Sequence, residues 1–190
     1  HPSLWFWEPT LNETRFPASF AEKAYHCVNE EYPYKGVFSA YDMQARTAST
    51  IVYPIQYAHP AEGEGTTYSK PKFALRDDVT YFTREFGDCV DDWNSHNSPS
   101  RVARNWGEIP MLVQAQHYAN PPYQYTSLDV LYRVFPGHIG GCLWHSFDHQ
   151  RGYHPDPFYG GVADIFRQPK YSYYMFMAQR SPVKQDNRLY

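Results

Sequence analysis

The sequence predicts an α/β chain, a βα repeat built around a parallel sheet. Three observations predict it. Short apolar or aromatic runs alternate with segments whose apolar residues recur at helical spacing. No hairpin signal such as Asn-Gly joins neighbouring runs. Polar and charged residues (Glu13, Glu85, His145 and Asp148) stand at the carboxyl ends of the runs, the end at which parallel α/β folds gather their chemistry.

The elements follow in order. Residues 3–7 (SLWFW) read as a buried strand, ended by Pro9 and leading into a loop that carries Asn12 and Glu13. Residues 17–30 read as a helix: Pro17 fits a first turn, and Phe20, Ala21, Ala24, Tyr25 and Val28 fall on one face. Residues 36–41 (GVFSAY) and 51–57 (IVYPIQY) are the next strands, the second interrupted by Pro54. The Gly- and Pro-containing stretch from His59 reads as a loop. Residues 81–86 (YFTREF) form a fourth strand, closed by Gly87 and Asp88. After Ser98-Pro99 a helical region starts with Val102, Ala103 and Trp106 and continues past Pro110 through Met111, Leu112, Ala115 and Tyr118. Residues 127–135 form a short helix that Pro136-Gly137 terminates. Residues 138–147 (HIGGCLWHSF) are the last strand, and residues 171–179 a closing helix.

About five βα units would leave three strands of a closed (β/α)8 TIM barrel missing.

Composition narrows the partners. The chain has 190 residues, enough for a real core, and a net charge of -3 without a long charge run. Nucleic acid, whose phosphates call for a basic face, is not an expected partner. No apolar run reaches membrane-spanning length, so no membrane partner is expected. Aromatic residues make up 18%, enough to line a sugar site, because aromatic faces stack on the C–H faces of sugar rings; an aromatic core explains the same number. Cys27, Cys89 and Cys142 match no zinc-site spacing and read as three ordinary thiols, with a single disulfide the alternative, and they do not fix the compartment.

Four segments carry a resemblance. Residues 1–14, HPSLWFWEPTLNET, pass from His-Pro-Ser through a Trp-containing run to Asn12-Glu13. Residues 81–88, YFTREFGD, end an apolar run on Glu85-Phe86-Gly87. Residues 140–150, GGCLWHSFDHQ, hold Trp144. Residues 158–180 carry Asp164, Arg167, Pro169 and Lys170 ahead of a helix. In this order the segments resemble glycoside hydrolase family 2, the β-galactosidase, β-glucuronidase and β-mannosidase group. Two departures stand out: the first segment reads WEPTLNE, with an extra residue and Glu8-Pro9, and His145 and His149 stand where Asp or Asn is commoner.

The resemblance implies that the βα units are the later strands of a (β/α)8 TIM barrel, with residues 1–180 the C-terminal part of such a barrel and residues 181–190 a linker toward a following domain. The first strands and N-terminal domains of the same chain are expected to lie outside this sequence. The resemblance also implies a retaining glycosidase that needs no cofactor, with Glu13 as acid/base and Glu85 as nucleophile. It implies Asn12 as donor to the sugar 2-hydroxyl, Trp144 as floor of the sugar site, and a non-proline cis peptide at Trp144-His145. His145 is expected to hydrogen-bond substrate. A β-glycoside drawn from an oligosaccharide or polysaccharide is the expected substrate, with β-galactosidase the leading activity and β-glucuronidase or β-mannosidase the alternatives. A non-catalytic carbohydrate-binding fragment and a metal-dependent hydrolase using His145, His149 and His154 are readings from other classes. The chemistry is coherent on its own terms: hydrolysis needs one carboxyl to protonate the leaving oxygen and another to trap the anomeric carbon. Arg84, next to Glu85, is expected to pair elsewhere, because successive strand residues face opposite sides.

Overall fold

The computed structural model describes residues 1, 3–11, 14–34, 36–40, 47–58, 63–64, 67–68, 74–86, 101–119, 128–150 and 157–178. In chain order its elements are α1 (Ala18–Glu31), β1 (Ile55–Tyr57), β2 (Gly63–Glu64), β3 (Thr67–Tyr68), β4 (Thr80–Phe86), α2 (Glu108–Ala119), α3 (Leu128–Val134), β5 (His138–Leu143) and α4 (Tyr171–Ala178). They fall into two compact units: residues 1–59, 70–84 and 131–141, and residues 60–69, 85–130 and 142–190.

The three-stranded sheet has the order β1-β4-β5; β1, β4 up to Arg84 and β5 up to Gly141 lie in the first unit. β1 and β4 pair in parallel, with Ile55 opposite Thr80, Gln56 opposite Tyr81 and Tyr57 opposite Phe82. Single parallel bridges continue the succession beyond β1, Ser39 to Ile55 and Trp7 to Phe38. Backbone bonds fix those steps: Trp7 N donates to Val37 O at 2.8 Å, Ser39 N to Trp7 O at 2.8 Å, and Ile55 N to Phe38 O at 3.2 Å. All five apolar runs of the sequence thus meet side by side in chain order. Parallel neighbours cannot be joined by tight turns, so each step needs a long crossover; α1 lies in the first and α2 and α3 in the last, while the step from β1 to β4 carries β2 and β3. The described residues establish an α/β fold with a parallel sheet; they do not close it into a barrel.

Helix α1 covers this sheet because its apolar positions repeat every three to four residues. Ala21, Phe38, Ala40 and Tyr53 form the buried cluster, with Ala24, Tyr25, Val28 and Ile51 packed against it. The Tyr25 ring meets Phe38 edge-on at 5.2 Å, and Phe38 lies 5.2 Å from Tyr53. Pro17 precedes the helix without a side-chain cap. Glu22 ties α1 to the turn before β1 by accepting from Thr50 N at 2.8 Å and Ser49 Oγ at 3.0 Å. Those bonds, the Thr50 amide foremost, hold its carboxyl below the usual range.

In the second unit α2 packs on α4. The Tyr118 and Phe176 rings lie 5.7 Å apart, and Ser172 Oγ donates to Gln114 Oε1 at 3.1 Å. The helical region expected from Val102 onward is broken. A 3-10 turn spans Arg104–Trp106, Gly107 takes φ 102°, and only then does α2 begin. Glycine alone adopts that φ freely. Pro110 then falls in the first turn of α2, where its missing N–H is not needed. Two further expectations are corrected. The stretch from His59 is not all loop, since β2 and β3 pair antiparallel, Gly63 with Tyr68 and Glu64 with Thr67. The last strand stops at Leu143 rather than Phe147, because the chain leaves the ladder to pair Phe147 with Ala163 and His149 with Phe158. Cys27 and Cys142 are exposed free thiols, and Cys89 lies outside the described residues.

Candidate functional site

Glu85 is the penultimate residue of β4, half-buried, and Trp144 directly follows β5. Trp144 N donates to Phe86 O at 2.9 Å, which brings the carboxyl ends of the two strands together. The Trp144–His145 peptide is cis, the isomer that the resemblance implies. Glu13 and Asn12 lie outside the described residues. Arg84 pairs with Glu8 at 3.5 Å, both side chains largely buried. Strand alternation turns the next residue, Glu85, to the other face.

The chain after Trp144 gathers rings. His145 is buried and its Nδ1 lies 2.6 Å from Phe147 O; His149 Nδ1 lies 3.2 Å from the same oxygen. A carbonyl only accepts, so each Nδ1 carries the hydrogen, and in the neutral rings each Nε2 is the acceptor. The two imidazoles meet edge-on at 4.3 Å. Trp144 lies 5.2 Å from His145 and 6.2 Å from His149, and Phe158 lies 4.6 Å from His145. The Arg101 guanidinium lies over the Phe158 ring, 3.9 Å from its centroid.

Beneath these rings runs an ionic network that the sequence reading did not assign. Lys170 Nζ, fully buried, donates to Asp148 Oδ1 at 2.7 Å, Val102 O at 2.6 Å and Tyr159 O at 3.0 Å. Three acceptors match the three N–H bonds of an ammonium, so the pair is held as ions. Burial pushes the Asp148 carboxyl up and the Lys170 ammonium down, and their mutual attraction opposes both shifts. Gly161 N also donates to Asp148 Oδ1, at 2.9 Å. A second carboxylate, Asp164, accepts Phe166 N and Gln168 N at 2.9 Å and Arg104 Nε at 2.6 Å. Arg104 also bonds Pro169 O. Desolvation works to raise the Asp164 carboxyl, but the Gln168 amide, Arg104 and the Phe166 amide outweigh it and hold it low. Asp164 and Lys170 of the closing motif are therefore structural clasps. The cue in the sequence was Asp148 near a strand end; its partner is 22 residues away.

Among the described residues, no group of three His, Cys, Asp or Glu side chains could hold a metal ion. In the same set no helix is long and apolar enough to cross a membrane.

No protein-family model matches the chain, and no curated protein sequence matches it. Among solved structures it is similar to the crystal structure of a GH2 β-galacturonidase from Eisenbergiella tayi bound to galacturonate, with a TM-score of 0.50 and 15% identity. The likeness covers 92% of this chain and 32% of that one, so the chain spans about a third of that protein's length. At that identity the shared property is the fold alone: this chain has an α/β architecture similar to part of that structure.

Proposed function

We propose that this chain forms the later strands of the catalytic TIM barrel of a family 2 type retaining β-glycosidase, with a β-galactoside as substrate. The observation that carries the reading is the strand order. Five parallel runs follow one another in chain order, with Glu85 and Trp144 at the carboxyl ends of adjacent strands. That is the end from which barrel enzymes act. The fold likeness to a GH2 protein supports it. The earlier strands of such a barrel, and any accessory domains, would come from chain outside these residues.

In this mechanism the Glu85 carboxylate attacks the anomeric carbon while Glu13 protonates the glycosidic oxygen, and the aglycone departs as an alcohol. Glu13, now a carboxylate, takes a proton from water. The resulting hydroxide displaces Glu85 from the anomeric carbon, and two inversions give net retention. Asn12 donates to the 2-hydroxyl, Trp144 underlies the ring, and His145 hydrogen-bonds substrate. The mechanism requires the two carboxyls to stand about 5 Å apart.

The test is trapping with a 2-deoxy-2-fluoro-β-galactoside on the intact protein, followed by peptide mass spectrometry. The label should fall on Glu85. With azide, Glu13→Ala should yield the β-galactosyl azide and Glu85→Ala the α-anomer. A label on another residue, or an inverted product from the wild type, would overturn the assignment. Turnover of a β-glucuronide or β-mannoside in place of the galactoside would keep the mechanism and change the sugar.

A further inference from the structure

A cavity of about 490 Å³ lies within the second unit, within the size range of small-molecule sites. It is framed by Asn105, from the connection between β4 and α2, and by His149, Tyr159, Phe166 and Gln168, from the connection between β5 and α4. Both connections leave the carboxyl ends of parallel strands, where α/β folds place their ligands. His149 links the cavity to Trp144, whose ring is 6.2 Å from its own.

The lining suits a sugar ring. Phe166 is 80% exposed, yet it sits on a fixed turn: Asp164 holds the amides of Phe166 and Gln168, Arg104 holds Asp164, and Arg167 adopts φ 68°. An aromatic face presented on a rigid turn loses little entropy when it stacks on a sugar's C–H face. The amides of Asn105 and Gln168 are exposed, and the acceptor Nε2 of His149 complements hydroxyl donors. Asp148 and Asp164 are engaged by Lys170 and Arg104, so the cavity offers no uncommitted carboxylate to a charged ligand.

We propose that this cavity is a second subsite, which binds a further neutral sugar ring of an oligosaccharide while the terminal ring lies over Trp144. The proposal rests on the glycosidase reading. It makes the substrate a chain of two or more rings rather than a glycoside of a single sugar.

The experiment compares wild type and Phe166→Ala, in the intact protein, on p-nitrophenyl β-galactoside and on β-linked galactobiose, galactotriose and galactotetraose. The Phe166 side chain is mostly in solvent and the Asp164 bonds use backbone amides, so the variant keeps its turn. Wild-type kcat/KM should rise with chain length. Phe166→Ala should lower it about five- to tenfold on galactotriose, the size of one aromatic stacking contact, and leave the aryl glycoside unchanged. Gln168→Ala should show the same pattern with a smaller loss. Rates that ignore chain length, or a variant equally affected on both substrates, would overturn the subsite and leave the glycosidase reading intact. If the wild type hydrolyses nothing, the glycosidase reading fails. Calorimetric titration with galactotriose then decides the cavity: binding that Phe166→Ala weakens supports it, and no binding overturns it.

Discussion

The two units are stabilised by different physics. In the first, Ala21, Phe38, Ala40 and Tyr53 bury apolar and aromatic surface between α1 and the strands. Apolar packing of this kind is non-directional, so its loss should scale with the volume removed. In the second, the chain after β5 is held by Asp148, Lys170, Asp164 and Arg104, each bonded at short distance to named partners. A buried ion depends on one partner, so loss there should be abrupt and should recover when both partners go. The scaffold of the sheet tolerates graded change, and the loops that frame the cavity do not.

The largest effect expected from this contrast concerns glycine. A methyl group on Gly161 would stand within 2.5 Å of backbone atoms of Asp148, Phe147 and Ala163. Overpacking costs about 1–3 kcal/mol where side chains can yield, and backbone yields less, so Gly161→Ala should lose at least about 3 kcal/mol in urea unfolding. Gly36 has φ 82° and open space around it, so Gly36→Ala should lose only about 1–2 kcal/mol. Similar losses at the two positions would erase the distinction between the units.

Next in size is the ion pair. Lys170→Met should cost about 3–5 kcal/mol by stranding the buried Asp148 carboxylate. The double variant Asp148→Asn, Lys170→Met should regain much of that loss, and a purely additive double-mutant cycle would count against an ionic clasp. A graded change in the first unit is smaller: Ile55→Val, at a site 4% exposed, should cost about 0.5–1.5 kcal/mol and add to other core changes there.

A further effect is a pH dependence in the first unit. Burial pulls the His138 imidazole down to about 4 from 6.5, and Thr83 Oγ1 lies 2.7 Å from its Nε2. A folded value below the unfolded one means that the unfolded chain takes up the proton first. The contribution is therefore whole above about pH 6.5, declines as pH falls, and is gone by about pH 4. The melting temperature should fall over that window, and His138→Asn should flatten the part due to this residue. An unchanged profile in the variant would show that His138 is not the group responsible.

What the sequence revealed follows from which signals are periodic. The five apolar runs and helix α1 are legible because burial repeats at two or about three and a half residues. The break at Gly107 is hidden because apolar spacing continues on both sides of it, from Val102 and Ala103 to Met111. Strands of two residues, as in β2 and β3, are too short to show a period. The end of β5 is masked because Trp144 and Phe147 prolong its apolar character after the ladder has ended. In the candidate site, Glu85 is visible as a polar residue at a run end, and Trp144 only through the resemblance of its segment. The Asp148–Lys170 bond is a tertiary event between positions 22 apart that no local pattern encodes.

The side-by-side order of the strands also bears on how the protein is made. Trp7 meets Phe38, Ser39 meets Ile55, and Tyr57 meets Phe82, so each run's partner has already left the ribosome when it emerges. Chains fold from the N-terminus as they are synthesised, and here every addition extends an edge already present. The last addition differs. Tyr81 N must wait for Gly137 O, across a far longer stretch of chain than separates the earlier partners. Longer closures are slower, so the nascent chain carries β4 as an open edge through that interval. That is when chaperone protection during translation matters most for this sequence.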